Sequence, residues 1–146
     1  MIEHRSHIEF QVPFFDVDSM QIAWHGHYAK YFEMARCQLL EDIGHDYDAM
    51  KASGFSWPVV DLRIRYMRPL TFKQWVRVAA TLKRWDAQLR IAYRVRDRDS
   101  GASLARGATL QVPVKIATGE RHSRTPEAVR AALARLAEPP QYEPPR

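Results

Sequence analysis

Polar and apolar residues alternate along much of this chain, and in two places the period lengthens to that of a helix. The first alternating run is SHIEFQV (6–12), with Ile8, Phe10 and Val12 on one face. Pro13 ends it or places it at a sheet edge, because proline cannot donate to a ladder. From about Gly26 the spacing changes. Tyr28, Tyr31, Phe32, Ala35, Leu39 and Ile43 fall on one stripe, and Lys30, Glu33, Glu41 and Asp42 lie off it. That pattern predicts an amphipathic helix. Gly44 is its expected stop, and a short second turn is expected from Tyr47 to Ala52, ended by Ser53-Gly54.

Four more alternating runs follow. VVDLRIRY sets Val60, Leu62, Ile64 and Tyr66 against Asp61, Arg63 and Arg65. WVRVAATLK has Val76, Val78, Ala80 and Leu82 on one face. QLRIAYRVR sets Leu89, Ile91, Tyr93 and Val95 against Arg90, Arg94 and Arg96. SLARGATLQVPVKI is expected to place Leu104, Ala108, Leu110, Val112, Val114 and Ile116 together. Period-two alternation implies strands with one packed and one polar face. The connectors Arg68-Pro69, Trp85-Asp86 and DRDSG (97–101) are short and turn-like, which implies antiparallel hairpins. TPEAVRAALARLA (125–137) reads as a second helix, with Thr125 as N-cap and Pro126 at its first position. The expectation is an α+β domain over residues 1–137, a five-stranded antiparallel sheet around one long helix with a C-terminal helix. The proline-rich stretch 138–146 is expected to be a disordered tail.

Composition adds limits. The chain has 146 residues, 46% of them hydrophobic, so a core is within reach. Cys37 is its single cysteine and cannot form an intrachain disulfide, which fits a reducing compartment. Neither a leader-like apolar segment nor a run near the ~20 apolar residues of a membrane span is present, so the expectation is cytoplasmic. Net charge is +5. Alternation alone puts Arg63, Arg65, Arg77, Arg90, Arg94 and Arg96 on the outer sheet face. That face is either solvated, oligomer-facing or phosphate-binding. A nucleic-acid module would need aromatics interleaved with those arginines, and the third and fourth runs supply none.

The chemistry concentrates in DVDSMQIAWHGHYAKYFEMAR (16–36). Two aspartates, a tryptophan and His-Gly-His precede the helix. Locally, the acids could serve only as turn residues bonding to nearby N–H groups. The two histidines lack the further ligands a metal site needs, so no metal is expected.

The whole spacing resembles the hotdog-fold thioesterases, in particular the 4-hydroxybenzoyl-CoA thioesterase-like branch. The matching residues are Asp16-Val17-Asp18, Ser19-Met20-Gln21, Ile22-Ala23, Trp24, His25, Gly26-His27, Tyr28 and Phe32-Glu33-Met34-Ala35-Arg36. VVDLRIRYMRPL and GATLQVPVKIATGE resemble later strands of the family, so the likeness spans roughly residues 6–120. The chain departs from the pattern at Met20-Gln21, where relatives often carry glycine.

The resemblance implies hydrolysis of an acyl-CoA or acyl-carrier-protein thioester without a cofactor. Asp18 would be general base or nucleophile. The N–H groups of His25, Gly26 and His27 would stabilise the oxyanion, since the first donors of a helix lack internal partners. The His25 side chain would orient water or the carbonyl. Trp24, Gly26, His27 and Tyr28 would border the substrate. A homodimer or homotetramer is implied, with Pro58, Val59 and Val60 of the second subunit lining the acyl pocket. Lys83, Arg84 and Arg106 are guesses for the CoA phosphates. Competing readings are a hotdog dehydratase or hydratase, a non-catalytic acyl-CoA binder, and a nucleic-acid module.

Overall fold

The computed structural model describes residues 4–135. Seven strands run in chain order as β1 (His4–Gln11), β2 (Phe55–Ser56), β3 (Val59–Tyr66), β4 (Trp75–Arg84), β5 (Leu89–Asp97), β6 (Ser103–Gln111) and β7 (Val114–Lys115). Three helices join them: α1 (Tyr28–Asp42), α2 (Tyr47–Ala52) and α3 (Glu127–Arg135). The main sheet has the order β1-β4-β5-β6-β3, antiparallel throughout. β2 and β7 form a separate two-stranded pair that the alternation did not foretell. Residues 138–146, the expected tail, lie outside the described residues.

α1 forms where the stripe predicted it. Tyr28, Tyr31, Phe32, Ala35, Leu39 and Ile43 are all buried. Gly44 follows in the left-handed region at φ 76°, which favours a residue without Cβ. The helix packs on the inner faces of β1, β4 and β5. Val76, Val78, Ala80, Leu82, Leu89, Ile91, Tyr93 and Val95 meet it there, every one buried. Each fully buried side chain of this size stabilises the fold by about 1.5–3 kcal/mol. The Phe32 ring stacks flat on Tyr93, with centroids 4.5 Å apart.

Gly107 lies beneath that stack. A Cβ there would come within 2.4 Å of both the Arg63 carbonyl and the Phe32 ring. The stacking therefore requires glycine in β6. Register shifts at Val59/Asp61, Leu82/Arg84 and Val95/Arg96 bend three strands, which helps the sheet curve around the helix.

Three expectations need correction. The fourth run does not continue to Ile116, and its phase is inverted over residues 107–111, although Leu104 and Val112 are buried as expected. Pairing of Tyr93 with Gly107, Ile91 with Thr109 and Leu89 with Gln111 turns those three β6 residues inward and Ala108 and Leu110 outward. Two of the inward polar side chains are held by hydrogen bonds, although Gln111 Oε1 is buried without one among the described residues. The Thr109 hydroxyl shares a 2.7 Å hydrogen bond with Tyr93 Oη, and Gln111 Nε2 donates to the Trp57 carbonyl at 2.8 Å. Second, β3 is not packed on one face. It is the sheet's edge, and of Val60, Leu62, Ile64 and Tyr66 only Ile64 is half-buried. Third, the Thr125 hydroxyl does not cap α3. It donates to the Trp85 carbonyl and ties the helix to the end of β4.

Candidate active site

The segment before α1 folds as a 3₁₀ turn, a tight hairpin and a second 3₁₀ turn. Phe14–Asp16 make the first turn, closed by Asp16 N–H to the Pro13 carbonyl at 3.1 Å. Val17 then bridges Ala23, and Asp18 N–H donates to the Ile22 carbonyl at 2.9 Å. The reversal is a β-turn from Asp18 to Gln21, closed at 3.0 Å. Gln21 has φ 65°, the left-handed position that usually takes glycine after such a turn. A non-glycine residue thus adopts a glycine-like conformation here at a cost of about 1–2 kcal/mol.

This local geometry sends the two aspartates in different directions. Asp16 points into the protein and is 2% exposed. Its carboxylate accepts from Lys30 Nζ at 2.8 Å and Tyr31 Oη at 2.6 Å, with His27 Nε2 3.8 Å away. Burial alone would raise its pKa, but the Lys30 and Tyr31 hydrogen bonds and the nearby cationic charge hold it below the usual carboxylate range. The same arrangement, burial first, pushes the Tyr31 phenol up. Asp18 is half-buried at the rim of a cleft. One oxygen accepts the Met20 N–H at 2.8 Å. The other has no hydrogen-bond partner among the described residues.

The cleft encloses about 380 Å³. Asp18, Ile22, Ala23, His25 and Tyr28 form one wall, and Tyr66, Met67, Arg68 and Pro69 at the end of β3 form the other. Ala23 N–H donates to the Leu70 carbonyl at 2.8 Å and pins the walls together. Tyr66 Oη donates to the His25 carbonyl at 2.7 Å, and its ring meets Tyr28 edge-on at 4.7 Å. Burial raises the pKa of both phenols, so they act as neutral groups.

His25–His27 form the 3₁₀ turn that leads into α1, and neither start has a side-chain cap. The His25 and Gly26 N–H groups come before the turn's first internal bond. The His27 N–H is already donated to the Trp24 carbonyl at 3.0 Å, so it leaves the set of expected oxyanion donors.

The remaining expected residues divide. His25 and Tyr28 line the cleft with Asp18. Trp24, 50% exposed, lies beside His25 and His27 with ring centroids at 5.1 and 5.5 Å. A Cβ on Gly26 would fall 2.2 Å from the Trp24 ring, so that ring, rather than a ligand, is what approaches this glycine. Pro58, Val59 and Val60 are exposed at the opposite end of β3 from Tyr66 and do not reach the cleft within one chain. Lys83, Arg84 and Arg106 do not line it either. The cleft's cation is Arg68, which the sequence reading did not single out, and Tyr66 was also passed over as a site residue. Both belong to the stretch YMRP (66–69) that ends VVDLRIRYMRPL, where alternation gives way to a turn. Among the described residues no group of three or more His, Cys, Asp or Glu could hold a metal ion. No helix among them is long and apolar enough to cross a membrane.

A long helix held in a curved five-stranded antiparallel sheet, with an acid-bearing hairpin at the helix start, is the hotdog arrangement of thioesterases. The chain superposes on protein TT1821 of Thermus thermophilus at 33% identity, TM-score 0.79, over 90% of this chain and 98% of that one. It superposes on the 1,4-dihydroxy-2-naphthoyl-CoA thioesterase Slr0204 of Synechocystis at 19% identity, TM-score 0.81, over 92% and 99%. YneP of Bacillus subtilis, a candidate acyl-CoA thioesterase, is 36% identical over 69 residues, which is 47% of this chain and half of YneP's length. The sequence model of the thioesterase-like superfamily matches residues 12–133. The chain belongs to the thioesterase-like superfamily.

Proposed function

We propose that the cleft hydrolyses an acyl-CoA thioester with Asp18 as its reactive carboxylate. The observation that carries this reading is the open oxygen of Asp18 in the same cleft as His25, at an uncapped helix start. As general base, Asp18 takes a proton from water while the water oxygen attacks the thioester carbonyl. The C–S bond then breaks, and the thiolate leaves with that proton. As nucleophile, the same oxygen attacks the carbonyl, the C–S bond breaks and the thiolate leaves; water then opens the resulting anhydride, releasing the free acid and restoring the carboxylate. In either route the His25 and Gly26 N–H groups, near the positive end of the helix, bind the developing oxyanion. The His25 imidazole orients the water or the carbonyl. The match to YneP supports CoA over a carrier protein as the thiol.

The reading includes a dimer. β3 is an eight-residue edge strand with Val59, Val60, Leu62 and Tyr66 exposed. Such an edge is a template for pairing. Antiparallel pairing of β3 with a second copy places the start of one strand beside the end of the other. Pro58, Val59 and Val60 of the second copy would then border this cleft next to Tyr66.

Thiol release from short, medium, long and aromatic acyl-CoAs, measured for the wild type and for Asp18→Ala, tests the chemistry. Turnover that collapses in a folded variant supports it, and equal turnover removes Asp18 from the mechanism. Sedimentation of a Leu62→Asp variant tests the dimer. Dissociation to monomers with loss of turnover is expected, and an unchanged mass would reject pairing through β3.

A further inference from the structure

The outer face of the main sheet carries an arrangement that hydrolysis does not use. One row of paired positions runs across all five strands as Arg5, Thr81, Ala92, Ala108 and Arg63. Its centre is built of small side chains, and its two ends are arginines. The next row places Arg94, Arg106 and Arg65 side by side on β5, β6 and β3. Like charges directly opposite one another destabilise a sheet. Among the described residues none of these three arginines has an acidic side chain within salt-bridge distance to offset this. Two other arginines of this face differ. Arg77 is bound to Glu9 at 2.6 Å, and Arg63 to Asp61 at 3.2 Å.

The small centre and the long arms leave a trough of about 670 Å³, within the range of about 300–1,000 Å³ typical of ligand sites. It has no aromatic side chain on the outward positions of these two rows, so it offers no stacking platform for nucleic-acid bases. What it offers is a concave array of guanidinium forks, the geometry that binds phosphoryl oxygens in pairs. We propose that this trough is a binding site for a compact polyanion bearing two or more linked phosphoryl groups, with Arg65, Arg94 and Arg106 as its principal contacts. The ligand is either an inorganic polyphosphate or the phosphate chain of a nucleotide. The site lies on the sheet face opposite α1 and is separate from the thioester cleft.

The test uses the full chain in the Asp18→Ala background, at constant ionic strength, with pyrophosphate, tripolyphosphate and ATP as probes. Calorimetry should give saturable binding, and Tm should rise with probe concentration by mass action. Arg94→Ala and Arg106→Ala should each weaken it by about tenfold or more, as expected for a lost charge-assisted hydrogen bond. Without probe, both variants should melt no lower than the parent, because each relieves repulsion, and this separates lost binding from lost folding. Arg130→Ala, which removes a cation paired with Glu127 on α3, should leave binding unchanged. Tripolyphosphate and ATP binding alike supports the inorganic source, and much tighter ATP binding supports the nucleotide source. Equal weakening by Arg130→Ala, binding that survives the Arg94→Ala/Arg106→Ala double variant, or binding confined to RNA or an acidic protein would overturn the proposal.

Discussion

Asp16 and Asp18 are two residues apart, carry the same carboxylate, and occupy opposite physical situations. Asp16 is closed in by Lys30 and Tyr31 and holds the start of α1 against the loop. Asp18 spends one oxygen on its own turn and presents the cleft with a carboxylate that has acceptor capacity left. A carboxylate saturated by donors stabilises the fold because its charge is already neutralised, and it has little basicity left for a reaction. A carboxylate with a spare oxygen contributes less to folding and can take a proton or attack a carbonyl. On the proposed reading of Asp18, the pair separates anchoring from chemistry within three residues of chain.

Substitution should split the two roles. Asp18→Asn is expected to lower kcat by about 10²–10⁴-fold, the usual contribution of positioned proton transfer, with Tm almost unchanged. Steady-state kinetics beside a thermal melt reads both. Asp16→Asn should do the reverse and cost about 2–3 kcal/mol of stability, since it removes hydrogen bonds to a charged group. Urea unfolding measures it, and turnover per folded molecule should stay within a few-fold of wild type. If Asp16→Asn proves the more damaging to turnover while stability holds, the assignment of roles is inverted.

Acid sharpens the same contrast. Asp16 titrates below its unfolded value, about 3.9 for a free aspartate. Its contribution to stability is therefore fully present above about pH 4 and is lost as pH falls through its folded value. Unfolding free energy measured between pH 5 and 2 should fall less steeply in Asp16→Asn than in wild type. A residual slope should remain from Asp97, which the Gln74 side chain and the Ser100 N–H hold at about 2. The smallest effect concerns the turn beside Asp18. Gln21→Gly relieves a left-handed residue but adds chain entropy to the unfolded state, for a net gain of about 0.5–1 kcal/mol. A loss of stability in that variant would show that the Gln21 side chain contributes more than its backbone costs.

Much of the framework was legible before any coordinates. The α1 stripe, the Gly44 stop and the short α2 follow from period and punctuation, and all are present. Runs of alternation located β3, β4 and β5 to within a residue or two. Alternation failed at β6, where Gly107, Thr109 and Gln111 face the core. Hydrophobicity marks an inward position only when burial is what satisfies the side chain. Here a glycine makes room for Phe32, and two polar groups find partners on the neighbouring strand and in the loop before β3. Trp24 lies half-exposed over Gly26, a placement that no local period marks.

The sequence by itself determined α1, α2, the main strands β1, β3, β4 and β5 and the concentration of acids and histidines at one helix start, because those depend on residues close along the chain. Tertiary structure decided which carboxylate is closed off and which is open, since Asp16 is neutralised by residues a helical turn beyond the loop. It also joined Tyr66 to His25 across 41 positions and aligned Arg65, Arg94 and Arg106 in one row. Those arrangements depend on strand register, and register is set by how the whole sheet packs on α1.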